Sequence, residues 1–164
     1  MKIQNKFRIV ALVLVMAFVG HAQTRGIGIG AYVQAGNANE LGGLNAKLFL
    51  DARSAVDLSL SVQMSPLGQS MGAYASYLIH GWDIIPVAAG KLPLYGGPSA
   101  GVGVWDGGTA IRVGGVGGIA YCMPPSTVPM DFFLQLNPKL EYHTDSKGLK
   151  MGLLAQLGLR FFFG

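Results

Sequence analysis

The sequence predicts an all-β fold, an eight-stranded antiparallel up-and-down transmembrane β-barrel. Three observations carry that expectation. Stretches with a side-chain period of two recur between turn residues along most of the chain. Only 12% of residues are charged while 51% are hydrophobic, where an ordinary soluble domain carries about a quarter charged. Finally, those apolar residues never gather into a spanning helix after residue 22. Val113–Met130 lacks charge, but four Gly and three Pro interrupt it. Apolar residues dispersed by alternation are the signature of strands that cross a membrane.

The N-terminus reads as an address. Lys2, Lys6 and Arg8 precede the apolar run Ile9–Val19, which leads into Gly20-His21-Ala22. A basic head, a short apolar middle and small residues before the cut make a secretory signal peptide over 1–22, with the barrel at 23–164. Three of the twelve Lys/Arg lie in the leader, leaving nine against eight Asp/Glu. No basic patch remains, so nucleic acid is excluded as a partner. The single cysteine, Cys122, rules out an intrachain disulfide and a Cys-based zinc cluster.

Eight strands are expected near 24–35, 41–51, 55–65, 71–80, 91–105, 109–123, 130–142 and 148–163. The first alternates Ile27, Ile29, Ala31 and Val33 with Gly28, Gly30, Tyr32 and Gln34. In the second, Leu44, Ala46, Leu48 and Leu50 oppose Asn45, Lys47, Phe49 and Asp51. The third sets Leu58, Leu60, Val62 and Met64 against Asp57, Ser59, Ser61 and Gln63. The fourth and sixth alternate weakly, and the fifth carries Pro93 and Pro98, which remove ladder donors. The seventh, MDFFLQLNPKLEY, puts Met, Phe, Leu, Leu, Pro, Leu and Tyr on one face and Asp131, Phe133, Gln135, Asn137, Lys139 and Glu141 on the other. The eighth puts Leu149 to Phe163 on one face, with Lys150, Gln156 and Arg160 on the other. Short turn-forming segments join them, GNANE, SPLGQS, WDGG and HTDSKG at one end, and ARS, HGWDIIPVAAG and PPSTVP at the other.

Period alone does not say which face points inward. Scarce charge, Gly on the polar face of strands one, five and eight, and the aromatic ending LGLRFFFG favour an apolar outer belt and a polar lumen. The expected interior polar set is Lys47, Asp51, Asp57, Arg112, Asp131, Gln135, Lys139, Glu141, Lys150 and Arg160. An eight-stranded lumen is just wide enough for side chains to fill, so these charges pair rather than line a wide pore.

The segments KLPLYGGPSAGVGVWD (91–106), VPMDFFLQLNPKLEY (128–142) and GLLAQLGLRFFFG (152–164) resemble a family of small bacterial outer-membrane β-barrel proteins of unknown function. The matches are Leu92, Pro93, Leu94 and Tyr95, then Pro129, Asp131, Phe133 and Pro138, then Gly158, Arg160 and Phe163. Gln135 stands where that family usually carries Glu, and Gly164 follows the terminal aromatics. The resemblance implies outer-membrane lipid and the barrel-insertion machinery as partners, and it implies no reaction.

Other motifs read as structure. His143, Asp145 and Ser146 share one turn and lack a G-x-S-x-G elbow, so a solvated loop is expected rather than a triad. His80 has no companions at metal-ligand spacing. The glycines of VGGVGG lack the helix and Lys-Ser/Thr pair of a phosphate loop. Trp82, Trp105, Tyr77 and Tyr142 are expected as interfacial anchors. No cofactor, metal or catalysis is expected, and no extracellular ligand is named. The rival readings are a narrow channel or small-solute transporter, a lipid-modifying enzyme, and a soluble periplasmic ligand-binding β-barrel.

Overall fold

The computed structural model describes residues 26–36, 41–65, 68–124 and 128–163. The expected leader at 1–22 lies outside them, as does Gly164. Eight strands form: β1 (Ile27–Gly36), β2 (Gly42–Phe49), β3 (Ser54–Ser65), β4 (Gly68–Gly81), β5 (Leu94–Trp105), β6 (Gly108–Cys122), β7 (Met130–His143) and β8 (Gly148–Phe163). Each pairs antiparallel with its sequence neighbour, and β1 pairs with β8, so the sheet is closed. Closure removes every free edge, and in lipid an open edge would leave backbone donors and acceptors without partners.

Several element ends differ from the sequence expectation, and three of the differences matter for the interior. The β3–β4 connection is a tight hairpin closing at Ser65↔Gly68, so most of SPLGQS belongs to the ladder. Pro93 lies just before β5, where its carbonyl accepts from Ala120 N at 3.1 Å and its missing N–H interrupts nothing in the strand. And β2 stops at Phe49, which moves Asp51 into a turn.

The alternation runs inside out relative to a soluble sheet. Along β7, Asp131, Phe133, Gln135, Asn137, Lys139 and Glu141 are buried, while Phe132, Leu134, Leu136, Leu140 and Tyr142 are exposed. Leu134 and Leu136 are each 49% exposed and Met151 of β8 reaches 82%, whereas Lys47 is 1% exposed and Arg160 0%. The exposed apolar set continues on other strands through Ile29, Leu44, Leu60, Ile79, Val104 and Ile111.

Small residues on the inner face make room for large ones. At Gly158 an added Cβ would lie 2.6 Å from the Phe133 ring and 2.6 Å from Ala31 O, and at Gly118 it would lie 2.6 Å from the Tyr95 ring. Gly103 faces the Arg112 guanidinium in the same way. A narrow lumen holds Phe133, Tyr95 and Arg112 only because the neighbouring strands contribute hydrogen atoms there.

Filling one such space tests the inward direction. Gly158→Leu is expected to lower unfolding stability by about 1–3 kcal/mol or prevent refolding, read from the urea midpoint in detergent. Gly117→Ala is the control, because nothing lies within 4 Å of its added Cβ. Its midpoint should not move.

Candidate functional site

Two charged clusters occupy the buried face, joined by a neutral layer. Near the end that carries the termini, in-register pairing sets Asp131 opposite Arg160 and Lys47 opposite Asp57. Arg160 donates from Nε to Asp131 at 2.9 Å, and from Nη1 to Asp57 at 2.7 Å and Asn45 at 3.1 Å. Asn45 in turn donates to Asp57 at 2.6 Å and to the Ser59 hydroxyl at 2.9 Å. The guanidinium lies 4.0 Å over the Phe133 ring, and the Lys47 ammonium lies 4.5 Å over the Tyr95 ring. Two carboxylates and two cations thus stand together out of water, so their charges cancel where an unpaired one would be costly.

The middle layer is built of amides. Tyr95 OH donates to Gln135 Oε1 at 3.0 Å, Gln135 donates to Gln156, and Gln156 donates to Gln34 at 3.0 Å. Asn137 also donates to Gln156, at 3.3 Å. This chain crosses strands β5, β7, β8 and β1, so the inward polar groups meet across the lumen rather than line an open channel.

Toward the hairpin end, Glu141 is the hub. Its Oε1 lies 2.5 Å from Lys139 Nζ and 3.2 Å from Arg112 Nε, and its Oε2 lies 3.0 Å from His143 Nε2. Arg112 donates to the Tyr74 hydroxyl, and Lys139 Nζ lies 3.5 Å from the same oxygen. His143 also faces Asp145, at 3.9 Å, and the Trp105 ring, at 5.4 Å between centroids.

Lys47, Asp57, Arg112, Asp131, Gln135, Lys139, Glu141 and Arg160 are therefore buried. Two residues expected inside are not. Asp51 is exposed in the turn after β2, where its carboxylate accepts from Arg53 N and Ser54 N, both at 2.7 Å, and from the Ser54 hydroxyl at 2.7 Å. Extending the β2 alternation two residues past its end produced that error. Lys150 does stand opposite Glu141 in the ladder. It is exposed nonetheless, because it lies at the hairpin rim and Glu141 is engaged by Lys139, Arg112 and His143.

His80 belongs to an aromatic layer at the terminal end. It stacks on Trp82 with centroids 5.4 Å apart, beside Phe49 at 5.2 Å and Tyr95 at 5.3 Å, and its Nδ1 lies 3.0 Å from Arg53 O. Trp82 packs over the barrel end and donates to Ala52 O at 2.7 Å, so it is not a lipid-facing anchor. Tyr77 and Tyr142 do face outward and are exposed. Among the described residues no His/Cys/Asp/Glu group is arranged to hold a metal ion.

The sequence reading did not assign Tyr74, Tyr95 and Asn45 to the charged clusters. The available signal was an aromatic on the polar face with glycines opposite it in register, as Tyr74↔Gly101 and Tyr95↔Gly118 show.

No protein-family profile matches the chain, and no curated protein matches it. The family resemblance drawn from the motifs therefore finds no support at that level. Among solved structures, the chain is similar to the crystal structure of Neisserial surface protein A (NspA). The TM-score is 0.52 with 13% sequence identity, over 88% of this chain and 100% of that one. At that identity the likeness shows a shared fold, an eight-stranded closed barrel.

Two outcomes follow from this geometry. Arg160→Leu leaves Asp57 and Asp131 buried without their shared cation, and the expected cost is about 3–5 kcal/mol. Guanidinium unfolding in detergent reads it, and adding Asp131→Asn should recover part of the loss. For Asp51, the Arg53 N–H first, then the hydroxyl and N–H of Ser54, hold the carboxyl below its ordinary value. A depressed folded pKa stabilises above the unfolded value of about 3.9 and is lost as pH falls through the folded one. The urea-midpoint gap between the protein and Asp51→Asn should be widest at neutral pH and close in acid.

Proposed function

We propose that this chain is an integral outer-membrane β-barrel protein with a packed polar interior, serving a structural or interaction role without catalysis. The observation that carries the reading is the polarity of the wall. Apolar side chains such as Ile29, Leu44, Leu134, Leu153 and Leu157 are exposed around it, while Arg160, Lys47 and Asp131 are almost fully buried. Monomeric soluble proteins rarely expose contiguous apolar patches beyond a few hundred Å². Lipid is the solvent that makes such a belt stable.

Export by the leader at 1–22 brings the chain to the barrel-insertion machinery, which would meet the outward aromatics Phe161 and Phe163 at the end of β8. Outward Tyr77, Tyr121 and Phe132 stand near the same end. The connections at the hairpin end are short, as Trp105↔Gly108 and His143↔Gly148 mark. A partner on that side would meet the rim itself.

The test combines fractionation with a heat-modifiability gel and planar-bilayer recording. The expected result is sedimentation with outer membranes, different migration of unboiled and boiled samples, and no steady conductance. Release by osmotic shock without a gel shift would overturn the membrane reading in favour of a soluble ligand-binding barrel. Reproducible conductance would replace the packed interior by a narrow channel.

A further inference from the structure

The segment between β4 and β5, residues 82–93, has two sides. At its start Trp82 stacks on His80 and packs over the end of the lumen. Lys91 holds Asp83 at 2.8 Å in an exposed ion pair at the rim. Both arms of the segment are also pinned to the outer face of the wall. Gly81 follows Tyr77 and Ile79 in outward parity, and an added Cβ there would run into the Ile84 side chain. Ile84 thus takes up the line of outward residues where β4 ends. On the returning arm, Lys91 N donates to Cys122 O at 2.9 Å and Cys122 N to Lys91 O at 2.8 Å. The hydroxyl of outward Tyr121 donates to Ala89 O at 3.4 Å. Gly90 turns there with φ +73°, and a side chain would meet the Tyr121 ring at 3.3 Å.

Between those anchors the chain reads IIPVAA, Ile84–Ala89, without one polar side chain. Ile84 is 62% exposed and Val87 38%, and Pro86, Ala88 and Ala89 are exposed as well. This end of the barrel does not demand apolar connections in general. The β2–β3 turn beside it, Asp51-Ala52-Arg53, is polar and exposed. The apolar surface of Ile84–Ala89 is instead continuous with outward Tyr77, Ile79 and Tyr121. It extends the belt past the end of the strands.

We infer that Ile84–Ala89 is a lipid-binding strap, seated in the interfacial region of the leaflet at the terminal end. This rests on the membrane reading above and adds to it a partner surface outside the strands. Backbone chemistry sets the depth. Residues 82–90 are irregular, and irregular backbone does not lie bare in hydrocarbon, where its N–H and C=O groups would lack partners. In the interfacial region water reaches those groups while apolar side chains enter the acyl boundary. The same segment carries Trp82, whose Nε1 donates to Ala52 O at 2.7 Å. The cover over the lumen is thereby braced by lipid on one side and by the β2–β3 turn on the other.

The test places an NBD fluorophore on single cysteines in a Cys122→Ser background, with the barrel reconstituted into phosphatidylcholine vesicles. Val87→Cys reports the strap, with Ala88→Cys as a second position. Ala52→Cys reports the polar turn at the same end, and Leu136→Cys the middle of the wall. Each variant is used once its heat shift is intact, and Cys122→Ala replaces the background if Cys122→Ser loses it. Quenching is compared among a nitroxide on the lipid head group, a nitroxide deep in the acyl chain, and aqueous iodide. The strap label is expected to lose most fluorescence to the shallow nitroxide and to be shielded from iodide relative to the Ala52 label. Equal iodide quenching of the two labels puts the segment in water and overturns the strap. Shielding from iodide without quenching by either nitroxide also overturns it, replacing lipid by a second copy of the chain. Strongest quenching by the deep nitroxide overturns the interfacial seat. The Leu136 label separates the two readings, since it should lose most fluorescence to the deep nitroxide. Failure there removes the membrane reading, whereas failure at Val87 and Ala88 alone removes only the strap.

Discussion

The interaction on which the rest depends is the anchoring of Arg160. It holds Asp131, Asp57 and Asn45 from β7, β3 and β2 at 2.7–3.1 Å. The β2–β3 pair and the β7–β8 pair are each neighbours in the wall but are separated from one another by β1; the guanidinium spans the lumen and ties the two pairs together. A planar group with five donors suits this better than an ammonium would. Lys47 does the complementary task, lying over Tyr95 and Phe49 and countering the second carboxylate. Charge balance inside is therefore a condition of closure. A sheet with a polar inner face and no water to wet it must either neutralise that face or remain open.

The same condition orders the lumen along its axis. Charges sit in two groups, around Arg160 and around Glu141, with the Gln34–Gln156–Gln135 amides between them. Amides give and accept hydrogen bonds without adding charge, so they connect the clusters without changing the charge of either. The aromatic layer of Phe49, His80 and Trp82 then covers the terminal end. The interior is filled from both directions, which is the arrangement expected when eight strands leave space for side chains and little else.

How much of this was legible follows from what a period of two encodes. All eight strands were legible because each buries one face and exposes the other, and a slip of one residue would exchange them. The direction of the faces came from composition, since alternation reads the same either way. Strand ends were less legible. Asp51 fits the inward parity of β2, but its carboxylate serves the backbone N–H groups of Arg53 and Ser54, a local competition that parity does not register. Cross-lumen partners were not legible at all. Asp57 and Arg160 are 103 residues apart in sequence, and only the closure of β1 on β8 brings them together.

The proline row shows where the wall gives up ladder. A missing rung in hydrocarbon costs more than one in water, because no solvent replaces the lost donor. A barrel selected only for closure would carry a β-branched residue at Pro98 and Pro138, as it carries Val102, Val104, Ile111 and Val113 nearby. Both prolines instead flank Gly115 in one row, directly outside the Arg112–Lys139–Glu141 group. Backbone disorder scattered along the strands would suggest tolerance. Two losses at one height, on either side of a glycine, instead concentrate the missing ladder in a single row.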